Sequence, residues 1–171
     1  MRTYIVLGMH RSGTSFISKA LAEQGFNMGN DLGKADWGNP HGYWENQDFI
    51  ELNTKILKHV KGEWDIVPSK KKIRQSAEHH KEEVKELVHK YKDDLWGWKD
   101  PRTSITLPAY LPHLEDIEDN DIYLVCMFRK PNKVAQSNEK VGNRSAERAE
   151  EITRDYNRRI FENVKEFLGY E

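Results

Sequence analysis

The sequence has one cysteine, Cys126, and no long apolar run. A single cysteine excludes an internal disulfide bond, and a reducing cytoplasm is the simplest setting for such a chain. No apolar stretch approaches the roughly 20 residues that span a bilayer. The N-terminus leads directly into a predicted strand without a signal peptide. We therefore expect a cytoplasmic protein with no membrane partner.

A strong net charge is also absent. The 27 basic and 28 acidic side chains give a formal net charge of -1, which argues against a general nucleic-acid-binding protein. There are no internal repeats and no low-complexity segments. Because 171 residues are enough for one domain with its own core, we predict a single domain over residues 1–171.

Short apolar runs alternate with longer amphipathic segments along the chain. The apolar runs predict strands at residues 4–7, 95–98 and 122–128. Helical spacing of apolar residues predicts helices over residues 16–24, 45–60, 69–92, 132–140 and 145–168, with a kinked or short helix over 103–114. The run at 122–128 has no polar alternation, which is typical of a central parallel strand. This alternation predicts an α/β fold with a small parallel sheet.

The loop after the first predicted strand suits an anion. It has the sequence Gly8-Met-His-Arg-Ser-Gly-Thr-Ser15 and leads into a helix, whose first N–H groups and dipole favour a phosphate or sulfate group. Its spacing is close to the Walker A pattern. Thr14 replaces the phosphate-binding lysine, however, and the cation comes earlier, as Arg11. The alternative is a glycine-bearing turn that binds nothing.

Further polar residues stand at predicted strand ends and helix starts. Lys99 and Arg129 follow the second and third strands, at the edge where open α/β sheets bind ligands. Asp100 suits the N-cap of the next helix. Glu45 fits either of two roles, a first-turn acid favoured by the helix dipole or a catalytic carboxylate.

Three histidines, His79, His80 and His89, lie in a highly charged helical segment. No cysteine or paired-carboxylate spacing accompanies them, so we predict surface histidines and no metal site.

Four segments together resemble sulfotransferases that use 3′-phosphoadenosine-5′-phosphosulfate (PAPS), most closely the bacterial and phage type. They are the loop at residues 8–15, Gly42-Tyr-Trp-Glu-Asn46, Trp96-Gly-Trp-Lys-Asp-Pro-Arg102, and Phe128-Arg-Lys-Pro131 followed by Ser137. The resemblance implies a three-layer P-loop NTPase-like fold with strand order 2-3-1. It also implies transfer of a sulfuryl group from PAPS to a hydroxyl or amine, with PAP as product. The acceptor would be a small molecule, a sugar or a peptide.

The resemblance assigns the donor to two anion sites. Backbone amides at residues 12–15 would hold the 5′-phosphate, and Arg129 with Ser137 would hold the 3′-phosphate. The implied cofactor-binding residues are Arg11, Ser12, Gly13, Thr14, Ser15, Arg129 and Ser137.

The implied catalytic residues are Arg11, Lys99, Glu45 and His41. Arg11 and Lys99 would stabilise charge on the transferred group and the bridging oxygen. Glu45 is the first candidate for the general base, and His41 is the second because an imidazole suits proton transfer near neutrality. No divalent metal is required, since the cations are side chains.

Two other functions fit the same motifs. One is a P-loop kinase that acts on a nucleotide or small molecule with ATP and Mg2+, in which Asp100 would serve as the Walker B acid. The other is a non-catalytic protein that binds PAP or another nucleotide.

Overall fold

The computed structural model describes residues 1–37, 39, 42–139 and 145–170. These residues form three β-strands: β1 (Arg2–Gly8), β2 (Leu95–Lys99) and β3 (Asp121–Met127). They also form eight α-helices: α1 (Thr14–Glu23), α2 (Gln47–His59), α3 (Lys70–His79), α4 (Lys81–Tyr91), α5 (Thr103–Thr106), α6 (Leu111–Glu115), α7 (Pro131–Glu139) and α8 (Ala146–Phe167). The strands are all parallel, so the prediction of an α/β fold with a small parallel sheet is confirmed.

The strand order is β2-β1-β3, and the expected order 2-3-1 is wrong. Ile5 of β1 lies opposite Trp98 of β2 on one side and Leu124 of β3 on the other. The central strand is therefore β1, whose residues from Ile5 to Leu7 are completely buried. The apolar content of a strand shows that it is buried but does not show which strands lie beside it.

The prediction that residues 122–128 form the central strand is also wrong. The side chains of β3 are half-buried or exposed, and Tyr123 is 41% exposed. In the part of the chain that the structure describes, β3 pairs only with β1. Its long apolar run packs against the core from the edge of the sheet.

A cluster of large aromatic side chains joins β2 to α2. Trp98 of β2 stacks on Phe49 of α2 with ring centroids 4.4 Å apart, and both are completely buried. Trp96 and Tyr110 extend the same cluster. Because Phe49 lies four residues after Glu45 and Trp98 directly precedes Lys99, this packing brings the two charged residues together.

Two predicted helices are broken in the structure. The segment predicted as one helix over residues 69–92 is two helices, α3 and α4, which meet at His80. The segment over 103–114 consists of α5, a 3₁₀ turn at Leu107–Ala109, and α6, as its two prolines predict. None of the described helices has both the length and the apolar character needed to cross a membrane.

Candidate functional site

A cleft of about 470 Å³ lies at the carboxyl ends of the three strands. It collects the loop after β1, the residue that ends β2, and the residues that follow β3. Its lining consists of His10, Arg11, Gly13, Thr14, Ser15, Phe16, Lys19, Ala20, Glu23, Asn39, Tyr43, Glu45, Lys99, Pro101, Arg129 and Ser137. Open parallel sheets bind ligands at this edge, so the cleft is the candidate site.

The loop from Gly8 to Ser15 is fixed by close packing and by backbone geometry. A Cβ atom on Gly8 would come within 2.7 Å of the Thr14 methyl group and 2.9 Å of the Met127 carbonyl oxygen, so only glycine fits. Gly13 has a φ of 92°, in the left-handed region that glycine adopts most readily. Arg11 also has a positive φ, 67°, which directs the chain back toward the helix start. Met9 is completely buried and anchors the loop in the core.

The start of α1 is suited to an anion. Within the described part of the chain no side chain caps it, and its first turn contains no acidic residue. By contrast, Asn46, Ser69 and Ser145 cap α2, α3 and α8. The first N–H groups of a helix have no acceptor within the helix, and the dipole there favours negative charge. The Phe16 and Ile17 N–H groups donate to the Gly13 carbonyl oxygen, and the Ser12 N–H donates to that of Met9. Among the described residues, the N–H groups of Thr14 and Ser15 are therefore the ones at the helix start that remain available to a ligand.

Arg11, Arg129 and Ser137 form one connected group. The Arg11 Nε donates to Ser137 Oγ at 3.0 Å, and the Arg129 Nη1 donates to the Arg11 carbonyl oxygen at 2.7 Å. Ser137 lies on α7 and Arg129 lies just after β3. The guanidinium of Arg129 is exposed at the cleft and is tied to the backbone of the loop. Residues that are far apart in sequence thus place two guanidinium groups at one end of the cleft.

Lys99 and Glu45 form a buried ion pair at the base of the cleft. The Lys99 Nζ lies 2.6 Å from Glu45 Oε1, and their side chains are 1% and 10% exposed. The same ammonium lies 3.5 Å from Ser15 Oγ at the end of the loop after β1. Burial lowers the pKa of Lys99, and the Glu45 carboxylate opposes that shift. This arrangement holds a cation and a carboxylate in contact at one point of the cleft.

Glu45 is not a first-turn helix acid. The helix α2 begins at Gln47 with Asn46 as its cap, and the acid in the first turn is Asp48. The first-turn role predicted for Glu45 is therefore wrong, and its carboxylate pairs with Lys99 instead.

Asp100 belongs to a buried polar network behind the ion pair. Its Oδ1 accepts from the backbone and guanidinium of Arg102, and its Oδ2 accepts from Asn53 Nδ2 at 2.8 Å. Asn53 also donates to Thr103 and accepts from Tyr110. The prediction that Asp100 is the N-cap of the next helix is wrong, because that helix begins at Thr103 with Arg102 at its N-cap. The Asp100 carboxylate accepts instead from the Arg102 backbone N–H in the turn before the helix. This network fixes the end of β2, which carries Lys99.

His10 lies in the loop with its ring against Trp64, the ring centroids being 5.1 Å apart. Its Nε2 is buried and has no hydrogen-bond partner among the described residues. Burial, together with the nearby charges of Arg102, Lys99 and Arg11, lowers the pKa of His10 to about 3. His10 is thus a neutral part of the loop at ordinary pH.

Asn39 builds part of the cleft wall, although it was not among the predicted site residues. Asn39 Nδ2 donates to Ser15 Oγ at 3.2 Å and to the Gly42 carbonyl oxygen at 2.7 Å. Ser15 Oγ in turn donates to the carbonyl oxygen of Tyr43 at 3.0 Å. These bonds join the segment before α2 to the loop after β1. The Asn-Pro-His-Gly-Tyr sequence gave a local signal of a turn here, but nothing in it predicted contact with Ser15.

The predicted site residues converge in the structure, with two exceptions. Ser12 is buried just behind the cleft, and its Oγ has no hydrogen-bond partner in the described ranges. His41, the second candidate for the base, lies outside the described residues. The remaining eight, Arg11, Gly13, Thr14, Ser15, Glu45, Lys99, Arg129 and Ser137, all line the cleft.

The chain matches no protein-family model, no curated protein and no solved structure.

Proposed function

We propose that the protein is a sulfotransferase that moves a sulfuryl group from PAPS to a hydroxyl or amine acceptor. One observation carries the proposal: a phosphate-binding loop, a buried lysine–carboxylate pair and a second arginine–serine site line the same cleft. A donor with a 5′-phosphosulfate and a separate 3′-phosphate needs two anion sites and a base between donor and acceptor. A three-layer P-loop-like architecture is part of the same proposal.

The proposed reaction forms one bond to sulfur and breaks another. The acceptor oxygen or nitrogen attacks the sulfur of PAPS, and the bond from sulfur to the 5′-phosphate oxygen breaks, so that PAP leaves. The acceptor proton passes to Glu45. As in phosphoryl transfer, the protein contributes positioning and charge stabilisation, here from Arg11, Lys99 and the amides that start α1.

The Lys99–Glu45 contact supports the assignment of both residues. The Lys99 Nζ lies 2.6 Å from the proposed base and 3.5 Å from a hydroxyl of the phosphate-binding loop. One ammonium group therefore reaches both the carboxylate and the region where the transferred group binds.

Two observations weigh against the alternative of a Mg2+-dependent P-loop kinase. Asp100, the candidate Walker B acid, is completely buried, and both of its carboxylate oxygens already accept hydrogen bonds from Arg102 and Asn53. Thr14 replaces the lysine that normally reaches the β- and γ-phosphates. A non-catalytic PAP-binding protein is the second alternative, and turnover distinguishes it.

Calorimetry with PAP and with ATP plus Mg2+ tests the donor class. We expect PAP to bind without metal at micromolar or lower dissociation constant, and ATP to bind much more weakly, because only PAP carries a 3′-phosphate. Equal affinity for the two nucleotides would overturn the assignment. PAP release from PAPS, measured with simple phenols, sugars and tyrosine peptides, then tests transfer itself. Binding without release in any of these reactions would favour the non-catalytic alternative.

Arg129→Ala tests the second anion site. A hydrogen bond to a charged group contributes about 1.5–3 kcal/mol, and the exposure of Arg129 places it at the lower end, so PAP should bind about tenfold more weakly. Adenosine 5′-phosphosulfate, which has no 3′-phosphate, should bind as before. Lys130→Ala is the matched control, because Lys130 is an exposed neighbouring cation.

The two ligands also reveal a purely structural effect of Arg129. Its bond to the Arg11 carbonyl oxygen helps to hold the loop, so a disturbed loop would weaken both ligands equally. That result would remove Arg129 from the 3′-phosphate site.

A further inference from the structure

Three histidines meet on the surface formed by α2, α3 and α4. His59 is the last residue of α2, His79 is the last residue of α3, and His80 lies at the break before α4. The ring centroids are 4.3 Å apart for His59–His79, 4.9 Å for His79–His80 and 5.4 Å for His59–His80. One ring nitrogen from each residue lies within 4.8 Å of the other two.

The ring of His80 is oriented by an acidic neighbour. Its Nδ1 lies 2.8 Å from Glu83 Oε1, and the Lys55 Nζ donates to the other oxygen of that carboxylate at 2.7 Å. A proton on Nδ1 directed at the carboxylate leaves the lone pair on Nε2. That atom is buried and has no hydrogen-bond partner in the described part of the chain, while the His80 side chain as a whole is 11% exposed.

This arrangement combines imidazole ligands with a carboxylate that orients one of them, as protein metal sites do. Imidazole nitrogens are preferred ligands of zinc and of neighbouring divalent transition metals. A histidine ligand commonly donates its second ring N–H to a carboxylate, which fixes the tautomer and the direction of the ring. Here Glu83 already makes that bond to His80. We propose that His59, His79 and His80 bind a divalent transition metal of the zinc type, with water completing the coordination and Glu83 orienting His80.

Binding of a metal ion by these three histidines requires only local movement of their side chains. Zinc–nitrogen bonds are about 2.0–2.1 Å long, so tetrahedral ligand atoms lie about 3.3 Å apart. His59 and His79 are exposed, and rotation of their side chains closes a gap of about 1.5 Å on a nearly fixed His80. The ion also lies beside the C-terminal ends of α2 and α3, where helix dipoles favour positive charge.

The metal site is separate from the cleft. The 13-residue helix α2 begins just after Glu45 and ends at His59, so the two sites are about 20 Å apart along its axis. The bound metal would clamp the end of α2 to the junction of α3 and α4. This inference does not depend on the proposed transferase activity.

Binding of Zn2+ to the untagged, EDTA-treated protein tests the proposal. Calorimetry should show one equivalent of Zn2+ bound, and Zn2+ at 100 times its dissociation constant should raise the Tm by about 5–10 °C. Co2+ should give the visible absorption of a low-coordinate histidine site. No heat with Zn2+ and no Tm change would overturn the proposal.

Four variants identify the ligands. His59→Ala and His79→Ala should each weaken Zn2+ binding more than Glu83→Gln, which should weaken it about ten- to hundredfold as the loss of an orienting partner does. His89→Ala is the matched control, because His89 is exposed on α4 outside the cluster. Each variant should have the parent's Tm in EDTA. If His89→Ala weakened binding as much as His79→Ala, the metal would be bound by surface histidines at large and the assigned site would be wrong.

Discussion

Replacing Lys99 by methionine removes the buried ammonium while keeping a side chain of similar length. The Glu45 carboxylate then remains with its side chain only 10% exposed and without the partner that now lies 2.6 Å away. Breaking a buried ion pair by removing one partner typically costs about 3–5 kcal/mol. Because Glu45 keeps one edge on the cleft, we expect the lower end, about 3 kcal/mol, which corresponds to a decrease in Tm of about 6–12 °C.

The double variant Lys99→Met/Glu45→Gln separates the interaction energy of the ion pair from the energies of the other contacts that these two residues make. With both charges gone, most of the lost stability should return, so a double-mutant cycle from urea unfolding should give a coupling of at least about 2 kcal/mol. Additive effects, with coupling below about 0.5 kcal/mol, would refute the buried-pair argument. In the same variants, Lys99→Met should abolish sulfuryl transfer and leave PAP affinity nearly unchanged, since PAP lacks the transferred group. An active Lys99→Met enzyme would refute the catalytic role.

Two further predictions concern the residues around this pair. His10 has a pKa of about 3 in the fold against 6.5 ordinarily, so protons bind the unfolded chain preferentially between these values. The contribution of neutral His10 to the free energy of unfolding is therefore complete above pH 6.5 and is lost as the pH falls. Between pH 6.5 and 5 the free energy of unfolding should decrease by about 2 kcal/mol for this reason. Urea unfolding of His10→Phe should show no such decrease. Asn53→Ala removes the buried partners of Asp100 Oδ2 and of the Tyr110 hydroxyl and should cost at least about 3 kcal/mol, measured as a lower Tm, whereas the exposed control Asn132→Ala should change stability little. An equal effect of the two asparagine substitutions would contradict the network.

The strand, loop and helix over residues 2–23 could be predicted from the sequence because their conformation depends on local properties. An apolar strand, two glycines and a helix start determine where the chain turns and where N–H groups point, whatever packs around them. Lys99 and Arg129 could be assigned to the same edge of the sheet for a similar reason: the carboxyl ends of parallel strands share one edge. The broken helix after Asp100 followed equally directly from its prolines.

Contacts between distant segments could not be predicted in this way. The apolar run of β3 indicates burial, but the neighbour of a strand is chosen by the whole sheet, and β1 occupies the centre. The role of Glu45 was open because its partner comes from β2, and the stacking of Phe49 on Trp98 brings the two together.

In the histidine cluster, too, one property follows from the local sequence and another only from the tertiary structure. The sequence determines that His79 and His80 are adjacent and polar, which by itself is typical of a solvated helix face. Only the tertiary structure ends α3 at this point and brings His59 from α2 beside them. The physical reason is that local sequence sets the conformation of each segment, whereas the approach of two segments depends on how their apolar faces pack, and that packing is a property of the whole chain.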